Sequence, residues 1–211
     1  MVVDEQVVAY GARRLLTLFK EHQFQSVALL NVIPDNSQEN VETRNYLPYA
    51  KFVEFLREVF ALWWQEFRDS VSIRELESLF SKVAARRGPT ICEFASNCMG
   101  KYLTIEPNGD VLACDKYLGD PALLFGNLLT ENLSQLLVHS SNLTQARRAV
   151  SLSKAGMQEC SYFRYCNGGC PHDARLNELH VDNWEGNCCG LSELIRDMEL
   201  VSQQNQPALR T

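Results

Sequence analysis

The most constraining feature of this 211-residue sequence is one short segment that is dense in cysteine, Cys160-Ser-Tyr-Phe-Arg-Tyr-Cys166-Asn-Gly-Gly-Cys170-Pro-His. It holds three thiols within eleven residues. Its two adjacent glycines allow a tight turn, and we expect Pro171 to stop the chain from continuing in the same direction. A loop that folds back while directing thiols towards one point is typical of a metal site.

The other cysteines lie on either side of this segment, at Cys92, Cys98 and Cys114 upstream and at Cys188 and Cys189 downstream. The formal charge is -6 and no run of basic residues is longer than a pair, so nucleic acid is not an expected partner. No apolar run reaches the roughly 18 residues of a membrane helix, and the first residues do not resemble a signal peptide. We therefore expect a cytoplasmic, reducing setting, where cysteines are more often metal ligands than disulfides.

The first ninety residues alternate between predicted helices and strands. Helices are predicted over residues 4–22, 49–67 and 74–84, and strands over 26–33 and 71–73. The apolar run at 26–33 is typical of a parallel strand buried on both faces. The aromatic stripe of the second helix is expected to pack in the core.

This alternation is the pattern of an α/β barrel or a doubly wound sheet. It is too short to close one, since an eight-stranded barrel needs roughly 200 residues or more. The sequence therefore predicts a fragment, or a sheet that another chain completes. Arg86-Arg87-Gly88-Pro89 interrupts the pattern and marks the predicted domain boundary.

Beyond residue 90 the pattern changes to short elements. Strands over 101–106 and 111–115 flank Pro107-Asn108-Gly109-Asp110, a strong hairpin signal. Helices are predicted over 133–138, 143–150 and 191–201, and the polar tail from 203 is expected to fray. The class expected for the whole chain is thus α/β, or α+β overall.

The spacing of the thiols separates the possible metals. Structural zinc sites usually contain two C-x2-C pairs, and this sequence contains none. Wide and uneven spacing suits iron–sulfur clusters, which take four thiolates from scattered loops. On spacing alone, disulfides and a zinc site stay open as alternatives.

The ordered motifs carry a resemblance to a known family. They are Cys92-x5-Cys98, then Leu103-Thr-Ile-Glu-Pro-Asn-Gly-Asp-Val-Leu-Ala-Cys114-Asp115, then Phe125-Gly-Asn-Leu, then Cys160-x5-Cys166-Asn-Gly-Gly-Cys170-Pro, and finally Cys188. This set resembles the SPASM domain, the C-terminal part of radical SAM maturases such as the anaerobic sulfatase-maturating and related peptide-modifying enzymes. The resemblance is strong over about residues 90–190. Residues 1–90 more weakly resemble the last βα units of the partial TIM-like barrel of these enzymes.

The resemblance implies two auxiliary [4Fe–4S] clusters. The first would be held by Cys92, Cys98, Cys114 and Cys170, and the second by Cys160, Cys166, Cys188 and one further ligand. The family's further ligand is a cysteine at the position of Met157, so we expect a second cluster that is incompletely ligated and labile. The alternative is that Cys189 supplies the missing thiolate.

The resemblance also implies a division of the chain and a catalytic residue. The expected units are the end of a barrel at 1–88, a SPASM iron–sulfur domain with a hairpin and short helices at 89–190, and a C-terminal helix and tail at 191–211. Asp115 corresponds to a carboxylate proposed as the base that deprotonates the oxidised substrate side chain. The alternative is a structural aspartate bonded to backbone amides.

The function expected from the resemblance is an iron–sulfur auxiliary module of a radical SAM maturase that oxidatively modifies a protein or ribosomal peptide, its clusters relaying electrons. The sequence contains no C-x3-C-x2-C loop to bind S-adenosylmethionine, so that cofactor would require an upstream half, which could be a separate chain. The alternative is a non-enzymatic interaction module that holds zinc or a degenerate cluster.

Overall fold

The computed structural model describes residues 1–32, 47–85, 91–95, 98–180 and 184–204. Its helices are α1 (Glu5–Tyr10), α2 (Ala12–Glu21), α3 (Tyr49–Leu62), α4 (Arg74–Ala85), α5 (Cys92–Ala95), α6 (Leu133–His139), α7 (Ser141–Met157), α8 (Phe163–Cys166), α9 (Pro171–His180) and α10 (Ser192–Gln204). Its strands are β1 (Val2–Val3), β2 (Ser26–Val27), β3 (Leu30–Asn31), β4 (Ser72–Ile73), β5 (Thr104–Ile105), β6 (Asp110–Leu112) and β7 (Leu124–Asn127). This mixture of helix and strand agrees with the predicted class.

The first part of the chain contains parallel strand pairs, β1 with β3 and β2 with β4. The prediction of one continuous strand over 26–33 is wrong within the described residues. The Ala28 carbonyl accepts a hydrogen bond from the amino terminus of Met1 at 2.7 Å, and the Leu29 N–H donates to Glu75 Oε2 at 2.9 Å. Because these two backbone groups bond outside the ladder, the strand divides into β2 and β3.

The predicted helix over residues 4–22 divides at Gly11. Asp4 caps α1 as expected, its carboxylate accepting from the Val7 N–H at 2.9 Å. Gly11 has a φ of 91°, which no residue inside an α-helix can have, and α2 begins directly after it. The buried residues of α2 form one face, as predicted: Ala12, Leu15, Leu16 and Phe19.

The aromatic stripe of the second predicted helix packs in the core. α3 continues into a π-helical turn, Trp63–Phe67, so that the helix covers the predicted range. The indole N–H of Trp63 donates to the Val71 carbonyl at 2.7 Å, which ties the end of this helix to the chain entering β4. The prediction of a short strand and then a helix after residue 70 is confirmed by β4 and α4.

Beyond residue 98 the described chain forms a three-stranded antiparallel sheet in the order β5-β6-β7. The predicted hairpin is confirmed, with Thr104 opposite Leu112 and Gly109 at a φ of 89° in its turn. The sequence did not predict β7, because Gly126 and Asn127 are poor strand formers. A second hydrophobic cluster lies against this sheet: Val111, Ala113, Tyr117, Leu123, Phe125, Leu136, Leu143 and Ala146.

Two helices differ from expectation. α7 is longer than the predicted 143–150, because Ser140 caps it two residues earlier and its polar residues tolerate exposure on an outer face. Pro171 was expected to stop the chain, yet α9 begins there. A proline at the first helical position loses no hydrogen bond and has a suitable fixed φ, so it starts a helix as readily as it ends one.

The main hydrophobic core joins the two ends of the described chain. α10 packs on α3 and α4, and Arg57 Nε lies 2.7 Å from Asp197 Oδ2 across this contact. The same core includes Met157, Cys166 and Cys189. The predicted boundary at 86–89 lies outside the described residues, and so does the predicted frayed tail from residue 205 onwards. Residues 203 and 204, which were also predicted to fray, belong to α10. Among the helices that the structure describes, none has the length and apolar character to span a membrane.

Candidate metal centre

The cysteine-rich segment folds as a helical turn followed by a reversal of the backbone. α8 ends at Cys166, and residues 167–169 have φ angles of 50°, 82° and 71°. Positive φ angles of this kind cost glycine little and are tolerated by asparagine, and residues 167–169 are one asparagine and two glycines. α9 begins at Pro171, so Cys166 and Cys170 lie on the two arms of one tight turn.

Four thiols meet where this turn contacts the chain that precedes α10; we call them group B: Cys160, Cys166, Cys188 and Cys189. Cys189 donates a hydrogen bond to Cys166, with the two sulfur atoms 3.3 Å apart. Cys188 also interacts with Cys189, and it accepts from the Gly190 N–H with a nitrogen–sulfur distance of 3.4 Å. Cys160 completes the group through a side-chain hydrogen bond to Cys188.

Two of the group B thiols, Cys166 and Cys188, favour the thiolate before any metal is bound. Burial raises the pKa of a third, Cys160. The hydrogen bond from Cys189, helped by backbone N–H groups, lowers the pKa of Cys188 to about 5 although burial opposes it. Cys189 is also the main reason that the pKa of Cys166 is lowered. The pKa of Cys189 itself is raised, because its thiol donates to both neighbours. Thiolates are the form of cysteine that binds metal.

Cys188 and Cys189 can join one group because the chain bends around them. Side chains of neighbouring residues in extended backbone point to opposite sides. Here Gly186 and Gly190 have φ angles of 67° and 90°. The loop also approaches closely from the other side, since a Cβ added at Gly169 would lie 3.1 Å from the Cβ of Cys189.

Met157, where the resemblance implies a further ligand, ends α7. Its side chain is 2% exposed and belongs to the main hydrophobic core. Its sulfur would lie 3.4 Å from a Cβ added at Gly168, so it packs against the cysteine turn as an apolar side chain. This geometry favours Cys189 over residue 157 as the fourth member of group B.

The remaining four thiols form a second neighbourhood, which we call group A: Cys92, Cys98, Cys114 and Cys170. Tyr117 lies beside three of them, since its pKa is raised first by burial and then by the charges of Cys170, Cys114 and Cys98. Cys92, on the exposed first turn of α5, interacts with Cys114. Burial raises the pKa of every group A thiol, to about 12 for Cys92 and for Cys170. Group A thiolates therefore need a bound metal more than those of Cys166 and Cys188 do.

Charged residues that the sequence analysis did not select lie against Cys170. The ammonium of Lys116 is 3.7 Å from the Cys170 sulfur and 3.2 Å from Asp173 Oδ1. His172 is 2% exposed and packs edge-on against the Tyr117 ring. A signal was available in the sequence, because Lys116 and Asp173 follow cysteines at distances of two and three residues.

The donor set fits iron–sulfur clusters. Each group provides four thiols, the number that one [4Fe–4S] cluster takes. Among the described residues, neither buried ring nitrogen of His172 has a hydrogen-bond partner, although Nδ1 lies 3.6 Å from Asp173 Oδ1. The sulfur atoms of a bound cluster would give Nε2 a partner. The Cys166–Cys189 contact must open if the two sulfurs are to bind different irons. No group of three or more His, Cys, Asp or Glu side chains in the described ranges could hold a single metal ion.

Asp115 follows Cys114 at the start of the 3-10 turn Asp115–Tyr117 and is exposed. Its carboxylate forms no hydrogen bond within the described part of the chain, so the alternative of an aspartate bonded to backbone amides gains no support there. Its charge acts on the neighbouring Cys114, whose pKa is raised by burial first and by Asp115 in addition.

Two cavities lie beside the segments that carry the thiols, and Cys170 lines the smaller one. One has a volume of about 530 Å³ and lies between α7 and α9, with Met99, Lys154, Pro171 and Trp184 in its lining. The other has about 40 Å³ and lies beside Leu30 and Asn31 of β3. Cys170, Lys116, Asp173 and Tyr49 also line it. The smaller cavity therefore places the parallel strands next to group A.

The part of the chain that carries the thiols matches the model of a known family. Residues 92–171 match the family model of SPASM, an iron–sulfur cluster-binding domain. The match includes all four group A cysteines together with Cys160 and Cys166. Residues 92–171 are therefore similar to a SPASM domain, as the resemblance implied.

The particular proteins that the chain is similar to agree with this class. Two curated relatives, both cysteine-type anaerobic sulfatase-maturating enzymes from strains of Clostridium perfringens, are 24% and 25% identical to it over 164 residues. Each alignment covers 77% of this chain and 43% of the relative, so the similar region spans less than half the length of these enzymes. The resemblance to sulfatase-maturating enzymes is confirmed.

Solved structures show the same fold. Native anSMEcpe with bound AdoMet and Kp18Cys peptide superposes with a TM-score of 0.69 at 20% identity, covering 96% of this chain and 56% of that one. Native anSMEcpe with bound AdoMet gives a TM-score of 0.66, covering 99% and 54%. The chain thus has the fold of about half of these structures.

Proposed function

We propose that this chain is the iron–sulfur auxiliary module of a radical SAM maturase that oxidatively modifies a protein or ribosomal peptide. The observation that carries the proposal is the division of eight thiols into two neighbourhoods of four. Six of the eight lie within the matched residues 92–171. When bound, the clusters would accept and pass on single electrons. The protein supplies the thiolates, the buried surroundings and the charges that tune them.

The proposed ligands follow the two groups. Group A, with Cys92, Cys98, Cys114 and Cys170, would hold one [4Fe–4S] cluster, and group B, with Cys189 in place of a cysteine at residue 157, would hold the other. The proposed units are residues 1–88 as the end of a partial TIM-like barrel, 89–190 as the SPASM domain, and 191–211 as the C-terminal helix and tail.

The rest of the activity would come from outside these 211 residues. They contain no C-x3-C-x2-C loop, so S-adenosylmethionine would be bound by an upstream half of the barrel, whether part of the same protein or a separate chain. AdoMet and a peptide are bound in the similar anSMEcpe structure. By analogy we propose a protein or peptide substrate, from which Asp115 takes a proton. A cytoplasmic location is part of the proposal, since clusters and free thiols persist in a reducing setting.

Anaerobic reconstitution tests the proposal. We expect about eight irons and eight sulfides per chain, the content of two four-iron clusters, with a brown colour and an EPR signal on reduction. Cys114→Ser and Cys166→Ser should each lower the iron content towards about four, because each removes a ligand from a different group. Ser151→Ala, an exposed change on α7, should leave it unchanged.

The alternative function predicts a different result. A non-enzymatic interaction module holding zinc would give a colourless protein in which zinc is the tightly bound metal and sulfide is absent. That result would overturn the iron–sulfur proposal.

A further inference from the structure

Lys116 and Asp173 form an enclosed ion pair directly beside a group A thiol. The Lys116 ammonium lies 3.2 Å from Asp173 Oδ1 and 3.7 Å from the sulfur of Cys170. The two side chains are only 23% and 11% exposed. Lysine and aspartate are rarely so enclosed unless they are paired. Lys116 belongs to the 3-10 turn after Cys114, and Asp173 to the first turn of α9, so the pair joins two cysteine-bearing segments.

Stability is a poor explanation for this pair. Removing two charges from water costs about as much as their attraction returns, and apolar residues of similar size often serve as well. The position of the pair relative to Cys170 is more informative. Burial and then Asp173 raise the pKa of Cys170 to about 12, and Lys116 acts in the opposite direction. The pKa of Lys116 is raised by Cys170 and Asp173 although burial opposes this.

Group B has different surroundings. Its thiols interact with one another and with the Gly190 N–H. The nearby Lys82 directs its ammonium to the main-chain carbonyls of Phe94 and Tyr165, at 3.0 and 3.4 Å. The contact between an ammonium, a carboxylate and a cysteine sulfur is therefore a feature of group A in the described structure.

We infer that Lys116 and Asp173 set the reduction potential of the cluster that group A would hold, with Lys116 raising it and Asp173 lowering it. The inference rests on the proposed function. Reduction adds one electron, taken from an external donor, to a centre with a ligand sulfur 3.7 Å from the ammonium. The ammonium stabilises that added charge and the carboxylate destabilises it. Lys116 acts through Cys170 and is a positioning residue, held in place by Asp173.

Potentiometric titration followed by EPR, on the anaerobically reconstituted chain, tests the inference. Lys116→Met should lower the equilibrium constant for reduction of one cluster by about tenfold or more, which is about 59 mV for a one-electron couple. Asp173→Asn should shift the same cluster the other way, and Lys116→Arg should keep its potential near the wild-type value. A loss of packing would not give shifts of opposite sign. As a control, Lys51→Met removes an exposed lysine that pairs with Glu5 and should move neither potential.

Iron content measured in the same samples separates two kinds of failure. If the wild-type chain binds no iron, the proposed function and this inference fail together. If it binds iron but Lys116→Met and Asp173→Asn leave both potentials unchanged, or shift them in one direction, only this inference is overturned. Should Lys116→Met lose iron, Lys116→Gln retains a hydrogen-bond donor without the charge and is judged by the same criterion.

Discussion

At the scale of single residues, a bend in the chain selects the fourth thiol of group B. Cys188 and Cys189 both lie in the C-terminal part of the sequence, where the resemblance implies a ligand of the second cluster. The sequence alone does not show whether both thiols can reach the same site. The turn between Gly186 and Gly190 brings both sulfurs to the same neighbourhood, where Cys189 donates to Cys166. Met157 instead fills space in the core.

Substitutions at Cys189 and Met157 distinguish the two candidates for that ligand. We expect Cys189→Ser to lower the iron content from about eight towards about four per chain, because group B then has three thiolates. Met157→Leu, a volume-conserving change, should keep the iron. Met157→Cys should add none. These contents are measured after anaerobic reconstitution and desalting. Full iron in Cys189→Ser, together with a gain in Met157→Cys, would return the role to residue 157.

At the scale of elements, local sequence patterns predicted a helix or a hairpin correctly where one physical cause determines its formation. The Asn108-Gly109 hairpin and the amphipathic α3 followed their patterns, because turn chemistry and an apolar face decide them. The strand over 26–33 did not, since a distant carboxylate, Glu75, takes the Leu29 N–H. The cysteine order predicted a metal site, but the Lys116–Asp173 pair depends on how α9 meets the turn after Cys114. That contact is tertiary, and no repeating pattern in the sequence predicts it.

The turn before α10 offers a direct test of element geometry. Gly190 has a φ of 90°, and a Cβ added there would lie 3.0 Å from Tyr49 Cδ1, so alanine would meet both backbone strain and a buried ring. Gly11 has a φ of 91° but nothing within 4 Å of the added atom. We expect Gly11→Ala to cost about 1–3 kcal/mol for backbone strain alone, because a φ of 91° with a ψ of 144° lies in a region that essentially only glycine adopts. Gly190→Ala should cost more.

Thermal unfolding and iron analysis check this pair of variants. For a chain of this size each kcal/mol lowers Tm by about 2–4 °C. Gly190→Ala should also lose iron from group B, because it displaces Cys188 and Cys189, whereas Gly11→Ala should keep its iron. Equal losses of iron in both variants would show that general instability, and not the bend, controls cluster binding.

At the scale of the whole molecule, two of the group B thiols and the first part of the chain share one core. Cys166 and Cys189 belong to the same hydrophobic cluster as α2, α3 and α4, and α10 packs back on α3 and α4. The smaller cavity joins β3 to the group A surroundings. A change at the thiols is therefore coupled to the part of the fold where, in the proposed function, the missing half of a barrel would dock.

The last prediction concerns that missing half. The chain alone should not cleave S-adenosylmethionine, because no three of its cysteines have the C-x3-C-x2-C spacing that leaves an open iron for the cofactor. Incubation with dithionite should give no 5′-deoxyadenosine above a protein-free control. Supplying an upstream half should restore turnover.

In a mixture with that upstream half, Asp115→Asn should lower turnover by about 10²–10⁴-fold with unchanged iron, since it removes a general base and keeps the shape. Glu159→Gln is the matched control, an exposed carboxylate beside Cys160 of group B. Equal turnover in both variants would make Asp115 a structural residue, and deoxyadenosine from the chain alone would contradict the need for a partner.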